Sequence, residues 1–111
     1  MAKFHDDTHK RSKAANKQAT TLENGVKNDI NTVTGRKGKI TSFSSAAKNI
    51  HKKCEKWQKA HEKTGGIDAR VSRVAGDIDA FADSFEKQDQ SAADILHKDA
   101  ENLRRAQRTS F

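Results

Sequence analysis

The chain has 111 residues, of which 33% are charged and only 32% are hydrophobic, and its formal net charge is +7. A chain of this length forms one domain with a modest core. No stretch is apolar over the roughly 18 residues that a membrane-spanning helix needs, and the first residues lack the apolar segment of a secretory signal. The single Cys54 excludes an internal disulfide.

Composition also points to one fold class. Proline and tyrosine are absent, and Ala and Lys are the commonest residues, with fifteen of each. These residues form helices more readily than strands. The sequence therefore predicts an all-α protein.

Positive charge is concentrated in the first part of the chain. Residues 1–66 contain fifteen Lys and Arg against six Asp and Glu, a net charge of +9, whereas residues 67–111 contain seven against nine, a net charge of −2. Basic proteins attract nucleic acid. The lysines are scattered, however, and no recognised nucleic-acid motif accompanies them, so we expect only nonspecific attraction of nucleic acid.

The predicted elements begin with residues 1–13, a polar segment that we expect to be a flexible basic arm. Apolar residues then recur at intervals of three and four, which predicts a first helix over about 14–34. Its interior contains Gly25, which invites close packing of a neighbour. The stripe consists of Ala15, Ala19, Leu22, Val26, Ile30 and Val33.

A glycine-containing turn at 35–39 separates this helix from a second one, predicted over 40–63. The apolar residues of the second helix alternate at three and four, which is a heptad seam and predicts antiparallel packing on the first helix. The seam consists of Ile40, Phe43, Ala47, Ile50, Cys54, Trp57 and His61. The result is an antiparallel helical hairpin.

The pair Gly65-Gly66 is a strong helix breaker, yet the apolar stripe continues through it into a predicted helix over 67–103. The sequence leaves two architectures open. The C-terminal helix either continues the second helix or folds back at Gly65-Gly66 into a three-helix bundle. Residues 14–103 would form a single helical domain, and 104–111 a frayed basic tail.

Within the last predicted helix, residues 78–96 form an amphipathic stretch. Phe85 and Asp89 lie four residues apart, so on one helix they share a face, and a partner protein could recognise the ring and the carboxylate together. The plainer interpretation is a core phenylalanine beside a solvated aspartate. Spacing alone favours the plainer one.

No catalytic constellation is evident. His51, Cys54 and His61 could face one metal ion, but a fourth ligand is missing and they share the seam with apolar residues. The acidic residues near Asp79 fall on different sides of a helix and lack the glycine of a calcium loop. We therefore expect no enzyme, no cofactor and no metal site.

Several of these features resemble the small helical proteins of bacterial type VII secretion. They are the hairpin, the Gly35 to Gly38 turn, the Phe43-Ser44-Ser45-Ala46-Ala47 stretch, Trp57, and Phe85-x-x-x-Asp89 followed by Ala92, Ala93 and Leu96. In particular they are similar to the Trp-x-Gly partner proteins that accompany LXG-type toxins. The turn itself contains no Trp-x-Gly, and Trp57 lies inside the second predicted helix.

The resemblance implies a non-enzymatic secretion partner or targeting factor that binds the helical N-terminal domain of a toxin, with a second small helical protein and the secretion machinery as further partners. Phe85 and Asp89 would match the family's export motif. The face for the partner would comprise Leu22, Val26, Ile30, Phe43, Ile50, Trp57, Val71, Val74, Ile78 and Phe81.

The protein would then be cytoplasmic before export and secreted without a cleaved signal peptide. Two other functions stay open. One is a basic helical nucleic-acid-binding protein, and the other is a cytosolic chaperone or antitoxin that covers a toxin.

Overall fold

Four α-helices form over the residues that the computed structural model describes, namely 2–35 and 41–108, with side chains described for 13–35 and 41–108. The all-α prediction is confirmed. Of the predicted turn at 35–39, only Gly35 lies within the described residues. The helices are α1 (Ala2–Thr34), α2 (Phe43–Thr64), α3 (Ala69–Phe85) and α4 (Gln90–Arg108).

The first and last helices are longer than predicted. The backbone is helical from Ala2, so the predicted helix start near residue 14 is wrong. At the other end α4 continues to Arg108, beyond the predicted helix end at residue 103. Low hydrophobicity hid both extensions, because a polar helix shows no apolar stripe.

The chain breaks after α2 and folds back at Gly65. This residue has φ 62°, a left-handed conformation that glycine adopts without steric strain, and its N–H donates to the His61 carbonyl oxygen at 2.7 Å. Asp68 then caps α3, accepting a hydrogen bond from the Arg70 N–H at 2.9 Å. Of the two predicted architectures, the structure has the one that folds back.

A second break makes the bundle four-helical rather than three-helical. The carbonyl oxygen of Phe85 accepts from the N–H groups of Gln88 and Asp89, at 3.0 and 3.2 Å. The Asp89 carboxylate then accepts from the Ala92 N–H at 3.1 Å and starts α4. The prediction of one helix over 67–103 is therefore wrong. Phe85 and Ala92 are seven residues apart, so the apolar spacing continues across the turn and conceals it.

The helices form two antiparallel hairpins, α1 with α2 (the first hairpin) and α3 with α4 (the second hairpin). The hairpins lie side by side with α3 on α1 and α4 on α2. Arg70 at the start of α3 donates to the Thr20 hydroxyl oxygen at 2.6 Å. His51 of α2 lies 2.9 Å from the Asp99 carboxylate of α4. Residues 27–34 of α1 lie beside 77–84 of α3, and Ser44 of α2 lies beside Asp89 at the start of α4. Numbering therefore rises in the same direction along each contacting pair, so α1 is parallel to α3 and α2 to α4.

All four helices contribute to one hydrophobic core. Three phenylalanines gather where both hairpins turn, because the ring centroid of Phe43 lies 5.1 Å from those of both Phe81 and Phe85. Aromatic pairs in such arrangements add to the stability gained from burial alone. The residues with no accessible surface are Ala19, Ile50, Ala75, Ile78, Ala82, Ala93, Leu96, Ala100 and Leu103.

Candidate interaction surface

The side chains predicted to face a partner are instead packed inside the chain itself. Ile30 is partly buried against the core, and the other nine are buried. An amphipathic stripe shows that a face must be covered but not which helix covers it. In this structure α3 and α4 cover the first hairpin, so these residues are not a surface open to a partner. The nine are Leu22, Val26, Phe43, Ile50, Trp57, Val71, Val74, Ile78 and Phe81.

Phe85 and Asp89 lie on either side of the turn between α3 and α4. The prediction that they share one face of a helix is wrong, because α3 ends at Phe85. The Phe85 ring stacks on Phe43, and Asp89 caps α4. Both residues thus have local structural roles at a turn, and both are only partly exposed.

Gly25 in α1 is the point where a side chain of α2 crosses the first helix. A Cβ atom at this position would lie 2.8 Å from Cδ of Lys53, closer than such atoms approach. With no Cβ there, the Lys53 chain crosses α1 and its ammonium donates to the buried carboxylate of Asp29. The close packing that Gly25 invites is therefore with Lys53.

An outer groove runs between α1 and α2, with a volume of about 520 Å³. Leu22 and Trp57, both buried, lie at its floor. Three lysines lie along its edges, namely Lys17, Lys53 and Lys56. The remaining lining residues are Ala14, Gln18, Thr21, Gly25 and Ala60. Sequence reasoning missed this groove because the floor residues were assigned to the seam and the lysines to a solvated surface.

Lysines also run along the solvent side of α2. The α2 lysine row comprises five exposed residues spaced three or four apart, which places them on one helical face. Its members are Lys48, Lys52, Lys56, Lys59 and Lys63. The row lies opposite the core face of α2, and only Lys56 of the five also lines the outer groove. The five positive charges of the row are therefore directed toward solvent.

Cys54 and Asp99 are buried near each other between α2 and α4. Burial, and secondarily the nearby Asp99, raises the pKa of the Cys54 thiol to about 12. A thiol with this pKa stays protonated at neutral pH and is a poor nucleophile. Burial also raises the pKa of Asp99, against the opposing effect of its hydrogen bond with His51. The pair therefore does not provide an activated thiol.

The second hairpin is fastened by a polar cluster on its surface. The His97 ring nitrogens lie 2.8 Å from an Asp79 oxygen and 3.0 Å from an Asp83 oxygen, and Arg104 bridges to Asp79 at 2.6 Å. The hydrogen bond with Asp79 raises the pKa of His97. Burial disfavours the charged form of Asp79, but hydrogen bonds from His97 and Arg104 outweigh this and lower its pKa.

The histidines of α2 are engaged in other contacts. His51 pairs with Asp99 and Glu55, and the His61 ring stacks on Trp57 with centroids 4.7 Å apart. Desolvation lowers the pKa of His61. Over residues 13–35 and 41–108, His, Cys, Asp and Glu side chains do not gather in threes that could hold a metal ion.

Fold and surface together define a four-helix bundle whose first hairpin carries a basic, grooved exterior. None of its helices, over the part of the chain described, combines the length and apolar character needed to cross a membrane. No family model, curated protein or solved structure matches the chain.

Proposed function

We propose that this chain is a non-enzymatic binding protein whose partner is an acidic helical domain of another protein. The observation that carries the proposal is the charge of the first hairpin. Residues 1–66 have a net charge of +9, and five exposed lysines lie along one face of α2. Such a surface steers association with an acidic partner and favours it over neutral ones.

The resemblance to the helical partner proteins of type VII secretion supplies a specific setting. In it, the partner is the helical N-terminal domain of an LXG-like toxin, and the protein accompanies that toxin to the secretion machinery. Because the chain completes its own core, it would bind as a folded unit rather than by merging its seam with the partner.

Affinity purification from the native host tests this proposal. The tagged chain is recovered from a nuclease-treated lysate, and proteins that co-purify are identified by mass spectrometry. We expect one abundant partner with an acidic helical domain in a stable, nuclease-resistant complex. If no protein remains with the chain after nuclease treatment, the proposal is wrong.

Export through Phe85 and Asp89 needs a separate test, in which a variant loses the export motif without losing the stability of the fold. Asp89→Ala removes the cap of α4 and costs about 1 kcal/mol, whereas asparagine caps a helix as well as aspartate does. Asp89→Asn therefore keeps the fold and removes only the charge. Loss of the protein from the culture medium in Asp89→Asn would support an export motif, and unchanged secretion would contradict it.

A cytosolic chaperone or antitoxin would form the same complex without being exported. Detecting the wild-type chain in the culture medium separates the two. If the chain stays in the cells while its partner is secreted, the chaperone interpretation replaces the secretion partner.

Nucleic acid is the second candidate function, and the α2 lysine row is the observation that favours it. Regularly spaced ammonium groups along a helix attract phosphates, and such binding weakens steeply with salt. Lys52→Glu combined with Lys59→Glu should then reduce oligonucleotide binding strongly. Capture of a protein partner from nuclease-treated lysate, with no oligonucleotide binding by the wild-type chain at physiological salt, would favour the first candidate.

A further inference from the structure

The outer groove has the length of a short helix. Its α1 wall extends from Ala14 to Gly25, which at 1.5 Å per residue is about 16 Å or three helical turns. The wall lies within α1, and α2 runs antiparallel beside it. A groove between two helices accepts a third helix laid along it, as ridges of side chains fit into grooves.

The chemistry of the groove is apolar at its floor and positive at its edges. Leu22 and Trp57 close the bottom of the groove but are only 3% and 5% exposed, so the apolar surface open to an occupant comes from the partly exposed Ala14 and Ala60 and from the aliphatic parts of the lysines. Lys17 and Lys56 are exposed at the edge. Apolar side chains of an occupant would be buried in the groove, and carboxylates beside them would meet the lysines.

The same features disfavour a nucleic acid in this groove. Bases bind to proteins by stacking on exposed aromatic faces, but the only tryptophan of the chain is 5% exposed. Phosphates would gain from the lysines but nothing from the apolar floor.

We infer that the outer groove binds an acidic amphipathic helix of another protein. The occupant places apolar side chains, spaced three and four residues apart, against Ala14 and Ala60, and its acidic side chains beside Lys17 and Lys56. This inference rests on the proposed function and adds the site and the chemistry of the bound segment.

A synthetic peptide tests the site directly. The probe is a tryptophan-free amphipathic helix of about four turns, with leucine on one face and glutamate on the others. Trp57 is the only tryptophan in the chain, so its fluorescence reports events at the groove floor. We expect a saturable change in its emission as the peptide is added at physiological salt, where charges beyond about 8 Å are screened.

Two double variants show whether the peptide binds through the groove or through the positive charge of the surface in general. Lys17→Glu with Lys56→Glu changes the groove edge and should weaken peptide affinity about tenfold. Lys52→Glu with Lys59→Glu makes the same change in net charge on exposed residues that do not line the groove, and should stay within about twofold of wild type. Lys53 is left unchanged because it pairs with Asp29. Thermal unfolding confirms that each variant folds.

Variant peptides test the apolar contacts and the charge contacts separately. Replacing leucine by serine, or glutamate by lysine, should abolish the fluorescence change. The inference is wrong if the serine peptide binds as well as the leucine peptide, if both double variants weaken binding equally, or if an oligonucleotide displaces the peptide at physiological salt. It is also wrong if sedimentation shows a homodimer that only Lys17→Glu with Lys56→Glu disrupts, since the occupant would then be a second copy.

The native partner distinguishes failure of the site from failure of the function. If wild type and the Lys17→Glu, Lys56→Glu variant capture the same partner equally, the groove is not the site while the proposed function stands. If wild type captures no protein partner, the proposed function itself fails.

Discussion

The two hairpins share one core but differ in charge and in the way that each is fastened. The first hairpin is basic, and its only ion pair between the helices, among the described residues, is Lys53 with the buried Asp29. The second hairpin is slightly acidic and has Asp79, His97 and Arg104 linked on its surface. Its helices α3 and α4 cover the seam of the first hairpin. The difference teaches that closing the core and carrying the excess positive charge are divided between the two hairpins.

The largest effect is expected from removing the second hairpin, which tests whether the first hairpin depends on it for a closed core. A chain ending at Gly66 exposes seam residues such as Ile50, which has no accessible surface in the bundle. Two helices alone bury too little apolar area to offset the entropy of ordering the chain. We expect residues 1–66 to lose cooperative thermal unfolding in circular dichroism. A monomeric fragment that melts cooperatively would show that the first hairpin is self-sufficient.

The two ion pairs should differ in their contribution to stability. Lys53→Met leaves the Asp29 carboxylate, 8% exposed, without its partner and should lower the free energy of unfolding by about 2 kcal/mol. Arg104→Met acts on Asp79, whose side chain is 28% exposed, and should cost under about 1 kcal/mol. Denaturant unfolding measures both.

Lys59→Met is the control for these measurements, because Lys59 is exposed and surface changes of this kind alter stability by about half a kcal/mol or less. Equal losses in Lys53→Met and Arg104→Met would contradict the difference drawn between the buried and the exposed pair.

The smallest expected effect is a pH dependence specific to the second hairpin. Hydrogen bonding to Asp79, and the charges of Asp79, Asp83 and Glu86, raise the pKa of His97 in the folded chain. The folded state therefore binds the proton more tightly, and this stabilisation is present below about pH 6.5 and is lost as pH rises through the raised value. His97→Gln should remove that part of the change in unfolding free energy between about pH 6 and pH 8.

Comparison of His97→Gln with wild type isolates this contribution from that of His61, whose lowered pKa acts in the opposite direction. An identical pH profile in the two proteins would show that His97 does not contribute to it.

The first hairpin was accessible to sequence reasoning because its helices carry clear apolar stripes and are separated by glycines. The turn between α3 and α4 was not, because Phe85 and Ala92 preserve the spacing of one helix while Asp89, a capping residue, resembles part of a surface motif. The periodicity of apolar residues shows which face of a helix is buried. It does not reveal a turn when the chain reverses over seven residues, the length of one heptad. Capping chemistry at Asp89 was the available signal for this break.

The outer groove was inaccessible for a different reason. Lys17 lies 36 residues before Lys53 and 40 before Trp57, and only the packing of α1 on α2 brings it beside them. The nine buried residues assigned to a partner face show the same limit, since a stripe does not identify its covering helix. Recognition surfaces between helices depend on their relative placement, which residue spacing does not specify.

The parallel placement of the hairpins has a consequence for the order of folding events. The contact between Lys53 and Asp29 joins residues 24 apart, and that between His97 and Asp79 joins residues 18 apart. Contacts between hairpins span more of the chain, 48 residues for His51 with Asp99 and 54 for Arg70 with Asn16. Shorter loops close at a lower entropic cost and faster. Transient hairpins should therefore form first, and their docking, which buries Ile50 and Ile78 together, should complete the cooperative transition.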